Sequence, residues 1–112
     1  MNSPMSGKQA VAAALRMIES RRGDRSRELA GRGLRLVRRM HLRPGYVVCD
    51  AIERPLYRVT AEPLPARARH YVVVLGENVS GRVLDGHCRP GEPYRTSGHV
   101  LDDLICQEAE RA

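Results

Sequence analysis

The chain has 112 residues, 42% of them apolar and 4% aromatic, with no Trp, no Phe and a formal net charge of +6. That length suits a single domain over residues 1–112 with one core, and no apolar run approaches the roughly 18 residues that a bilayer crossing needs. The alanine-rich start lacks a basic stretch ahead of a leucine-rich one, which argues against a secretory signal, and three cysteines (Cys49, Cys88, Cys106) argue against a disulfide framework, so a reducing, cytoplasmic setting is expected.

The charge is divided unevenly. Residues 1–44 carry 11 Lys and Arg against three acids, and residues 45–112 carry eight against ten. The basic field therefore belongs to the first part of the chain, where it suits an anionic partner, either nucleic acid or an acidic protein surface. All but one of the 19 cations are Arg, a bias that GC-rich coding sequence also produces.

Taken in chain order, Ser6 can cap a helix from about Gly7 to Ser20, in which Val11, Leu15 and Ile18 share one face. Arg21-Arg22-Gly23-Asp24-Arg25 reads as a polar break, and a second helix then runs to about His41 with Leu29, Leu36 and Met40 inward. Arg25, Arg32, Arg35 and Arg39 fall on its outer arc and form the candidate anion-binding face, since guanidinium groups bind phosphate bidentately. Arg43-Pro44-Gly45 closes this helical part.

After Gly45 the apolar period shortens. Residues 46–52, 56–60, 70–75 and 81–85 are short runs rich in β-branched residues and separated by Pro, Gly, Asn and Ser, which predicts a mostly antiparallel four-stranded sheet. Val100, Leu101, Leu104 and Ile105 predict a short C-terminal helix over about 99–110. The expected fold is thus α+β, with two N-terminal helices, four strands and a closing helix.

Two sets of residues carry chemistry. If the runs opening at His70 and ending at Asp85 pair as a hairpin, the imidazole and the carboxylate reach the same end of the sheet, as the base and orienter of a nucleophilic triad do. In this His-Tyr-Val-Val-Val-Leu…Gly-Arg-Val-Leu-Asp-Gly stretch, with helices ahead of it, the chain resembles papain-like cysteine hydrolases and deamidases of the small bacterial toxin or effector type. The resemblance implies a hydrolase with a Cys or Ser, His and Asp arrangement, active or degenerate. The helix start where that family carries its Cys holds Ser6-Gly7, which leaves Cys49 as the one cysteine ahead of His70.

The alternative is a non-enzymatic basic binding or regulatory protein acting through the Arg-rich helix. Asp85, His87, Cys88, His99 and Cys106 are of metal-ligating type, but they lack the paired spacing of a tetrahedral site, so no metal is expected. No phosphate-binding glycine loop or dinucleotide fingerprint occurs, so no cofactor is expected either.

Overall fold

A computed structural model describes residues 6–108. It contains a single helix, α1 (Gly7–Ala30), followed by β1 (Leu34–Arg38), a 3-10 turn η1 (Arg39–His41), β2 (Val47–Cys49), β3 (Pro55–Val59), β4 (Leu64–Pro65), β5 (Tyr71–Asn78), β6 (Pro93–His99) and β7 (Asp103–Gln107). The expected two helices, four strands and C-terminal helix are therefore replaced by one helix and a seven-stranded antiparallel sheet, and only the α+β class holds.

The helix starts where Ser6 caps it. The Ser6 hydroxyl accepts from the Gln9 amide while the Gln9 side chain accepts from the Ser6 amide, a reciprocal capping box. The predicted break at Gly23 does not occur. Glycine costs only about 1 kcal/mol in a helix interior, and the pairs Arg27–Asp24 and Arg25–Glu28, each three residues apart, bridge that turn. The helix ends instead at Gly31, and Gly33 takes a φ of 75° that a side chain would resist.

Beyond Gly33 the sequence Leu-Arg-Leu-Val-Arg is a strand, not the middle of a second helix. β1 pairs with β7, with Leu34 opposite Gln107 and Arg38 opposite Asp103. Of the apolar residues assigned to a C-terminal helix, Val100 and Leu101 lie within a tight turn at His99–Asp102 and Leu104 and Ile105 lie in β7; the remainder of that expected helix, 109–110, lies outside the described residues.

Strand order is β1-β7-β2-β3-β5-β4, with β6 on the other side of β5. One core cluster unites Val37, Leu42, Val48, Tyr57, Val59, Val74 and Cys106, and Tyr94 of β6 packs against it. Residues from both ends of the strand order thus meet in one core, so the sheet curls around it. At Gly76 the curl leaves no room for a side chain, because a Cβ there would lie 2.7 Å from Tyr57 Cδ2 and 2.8 Å from the Arg58 carbonyl oxygen.

Only the C-terminal part of α1 sits on this body. Leu29 is fully buried with Leu34 and Cys49, whereas Val11, Leu15 and Ile18, on the same stripe, are each more than half exposed. The helix projects past the sheet, which gives the molecule its 62 × 37 × 28 Å extents. No helix among the described residues is long and apolar enough to cross a membrane.

Candidate anion-binding groove

The expected hairpin between residues 70–75 and 81–85 is absent. β5 pairs with β6 from Tyr71 to Glu77, and residues 81–85 form turns with one isolated bridge, Leu84 to Cys88. A buried polar knot dictates this. Asn78 donates to the carbonyls of Arg82 (2.9 Å) and Cys88 (2.8 Å), while its own side-chain oxygen accepts from the Ser80 amide and hydroxyl. Those bonds satisfy the turn's backbone groups locally, so the segment has no need of a strand partner.

His70 and Asp85 consequently occupy opposite ends of β5. His70 immediately precedes that strand, and Asp85 belongs to the loop after it; the eight residues of β5 between them span about 24 Å. The Asp85 carboxylate accepts from the Tyr94 hydroxyl at 2.7 Å, and burial, reinforced by that bond, pushes the Tyr94 phenol up to about 12. The His70 ring instead faces His99, with centroids 6.2 Å apart.

Cys49 lies in β2, paired with Pro55 on one side and Ile105 on the other, and packs beneath Leu29. Burial pushes its thiol pKa up, the reverse of what a nucleophile needs. Ser6 is occupied as the helix cap. Cys49, His70 and Asp85 are thus not brought together. Among the described residues, no three His, Cys, Asp or Glu side chains cluster as metal ligands do.

The four arginines expected to form an anion-binding face are also redistributed. Arg25 and Arg32 both reach Glu53 in the β2–β3 turn, with Arg32 Nε 2.8 Å from the carboxylate, and Arg35 pairs with Glu108. The Arg32 bond holds the Glu53 carboxyl below its ordinary range. Arg39, placed on the outer arc by helical spacing, is buried beneath Gly98, where a Cβ would collide with its guanidinium. Its Nε lies 3.7 Å from Asp102 and has no hydrogen-bond partner, and Nη1 is 3.5 Å from the Thr96 hydroxyl. These residues fasten α1 and η1 to the sheet.

Cations without an acidic partner among the described residues lie elsewhere. Beside η1, between α1 and β1 on one side and Glu62 on the other, is a cleft of about 350 Å³ lined by Arg22, Arg35, Arg38, His41 and Arg43 with Tyr46. Arg22 is engaged by Asp103 at 2.8 Å and Arg38 by Glu19 at 3.5 Å, but Arg43 has no ion pair among the described residues. A second cleft of about 470 Å³ runs from Met40 over Pro63 and Pro65 to Arg69, His70, Tyr71 and Val100. Met40 lines both, and Glu62 of the first is followed in the chain by Pro63 of the second, so the two clefts neighbour each other at η1 and are together called the η1 groove.

The turn at 66–70 fixes the far end of this groove. The Ala66 amide donates to the Tyr71 carbonyl (3.0 Å), the Tyr71 amide to that of Ala68 (3.2 Å), and the Val100 amide to that of His70 (2.9 Å). His70 itself takes a φ of 67°, held by these bonds. Arg67 and Arg69, on the same turn, have no acidic partner among the described residues.

His41, Arg43, Arg69 and Tyr71 do not stand out in the sequence as a set, because two separate segments, 41–43 and 69–71, supply them. One signal is present: Arg67-Ala68-Arg69 has no acid closer than Glu62, and Arg43 none closer than Asp50. Comparisons with protein-family models, with curated proteins and with solved structures find no match for this chain.

Proposed function

We propose that this protein is a non-catalytic binding protein for a polyanion, which it takes along the η1 groove instead of on the outer face of α1. The observation that carries this reading is the partition of its cations. Arg22 of α1, Arg32 just after it and Arg35 of β1 are paired with acids of the same chain, whereas Arg43 and Arg69 line the two neighbouring clefts at η1 with no acid bound to them among the described residues. An unpaired guanidinium on a concave surface is available for bidentate, charge-assisted bonds to phosphate, sulfate or carboxylate groups.

The hydrolase reading lacks comparable support. Its base and orienter lie at opposite ends of one strand, and its thiol is buried with a raised pKa.

Binding of a labelled inorganic polyphosphate, followed at two salt concentrations, tests the proposal. Counterion release makes log K fall with log salt in proportion to the phosphates neutralised, by roughly 0.7 for each on a flexible strand. Association that weakens steeply with salt and is reduced by Arg43→Gln supports the reading. Absence of binding at low salt contradicts it.

A further inference from the structure

We infer that the polyanion is a single-stranded nucleic acid, whose phosphates follow the cationic cleft and whose bases stack in the adjoining aromatic one. This rests on the polyanion reading of the groove and narrows it to a ligand class. The second cleft differs in kind from the first. Its one arginine is Arg69, and its walls are Met40, proline rings and Tyr71.

Tyr71 stands 45% exposed at the start of β5, and His99 is its partner across the β5–β6 ladder. The Tyr71 and His99 rings meet edge to face with centroids 5.7 Å apart, and the His70 ring lies 6.2 Å from that of His99. Three rings from two segments thus cluster in a chain with four tyrosines and neither Trp nor Phe, and two of them, His70 and Tyr71, form part of the cleft wall. The backbone bonds of the 66–70 turn and the Val100–His70 bond hold this wall in place without a ligand.

A polyanion recognised by charge alone has no use for such a wall. Single-stranded nucleic acids present a charged backbone and unpaired ring faces together, and proteins bind them by a cationic track beside an aromatic platform. In a duplex the ring faces are stacked inside the helix and cannot reach Tyr71. An acidic peptide satisfies the arginines but leaves the aromatic cleft empty.

The test is fluorescence anisotropy of the full chain with four labelled probes: a single-stranded RNA of about 12 nucleotides, an abasic strand of the same length, the corresponding duplex, and polyglutamate. The wild-type protein is expected to bind the RNA at least about tenfold more tightly than the other three. Tyr71→Ala should weaken RNA binding by roughly five- to a hundredfold, the range for removal of one stacking ring, and leave the abasic strand unaffected. Tyr71→Phe should retain RNA binding, which separates stacking from any effect on folding. Equal affinity for the RNA, the abasic strand and polyglutamate overturns the base-stacking inference while the polyanion reading stands. Binding to none of the probes overturns both.

Discussion

Arginines at the C-terminal part of α1 and the arginines Arg43 and Arg69 that line the clefts at η1 are the same residue type in opposite surroundings. Arg22, Arg25 and Arg32 reach Asp103 and Glu53, acids contributed by β7 and the β2–β3 turn, and so attach the helix to the sheet. Arg43 and Arg69 have no acid bound to them among the described residues and border a groove. What separates a fastening cation from one left available to a ligand is the presence of a carboxylate within reach in the folded chain, which linear spacing does not reveal.

The harshest way to break the comparison is to remove the apolar anchor that the fastening arginines assist. Leu29→Ala empties a fully buried site between α1, Leu34 and Cys49. It should cost about 2–5 kcal/mol, read as a lower denaturant midpoint, because ion pairs alone do not hold the helix. Gly76→Ala, which forces a methyl against Tyr57 and the Arg58 carbonyl, should cost about 1–3 kcal/mol by overpacking.

A milder test addresses one fastening pair directly. Arg22→Gln removes a half-buried pair with Asp103 and should lower stability by up to about 1 kcal/mol. Arg43→Gln should leave stability within about 0.5 kcal/mol while weakening polyanion binding. Similar losses of stability in both variants would show that the two groups of arginines do the same work.

The Glu53 carboxyl supplies a pH-dependent version of the test. Its pKa is depressed from 4.5 by the Arg32 hydrogen bond and by the charges of Arg32 and Arg25. A depressed folded-state pKa means that its contribution is fully present above the ordinary value and is lost as pH falls through the folded one. Wild-type stability should therefore decline more steeply below about pH 4.5 than that of Glu53→Gln, as measured by denaturation midpoints across that range. Parallel curves would remove Glu53 from the helix attachment.

The smallest expected effect concerns the thiols. Cys49, Cys88 and Cys106 are all buried, and burial pushes Cys106 up to about 12. At about pH 8, an alkylating reagent should modify them at the rate at which the chain opens and not at the rate of a free thiol. Fast, selective modification of Cys49 would restore the case for a nucleophile there.

Several elements are legible in the sequence because local chemistry agrees with the fold. The Ser6 cap, the turn at Pro44-Gly45 and strands overlapping residues 46–52, 56–60 and 70–75 are written in short-range patterns. The run Leu34–Arg38 is ambiguous, since five residues with apolar positions at 34, 36 and 37 fit either period, and pairing with β7 decides the matter. β6 is illegible for a different reason: Pro93, Arg95, Ser97 and Gly98 are poor strand formers that the long, apolar β5 draws into its ladder.

The groove is the least legible feature. Its cations come from α1, β1, η1 and the residues just after it, and the 66–70 turn, and nothing in the sequence states that these approach one another. The Arg stripe suggests a binding face because its cations share one side of a helical projection, yet Arg39 is the most deeply buried of them and Arg35 lies on a strand.

The division between fastening and binding arginines is tested most directly by the salt dependence of single-stranded RNA binding in two double variants, Arg43→Gln with Arg69→Gln and Arg25→Gln with Arg32→Gln. Each phosphate of a single strand that is no longer neutralised flattens the slope of log K against log salt by about 0.7. The first variant should lose affinity and about 1.4 of slope if each arginine holds one phosphate, and the second should retain the wild-type slope. A flattened slope in the second variant with none in the first would contradict the account and return the binding face to the outer surface of the helix.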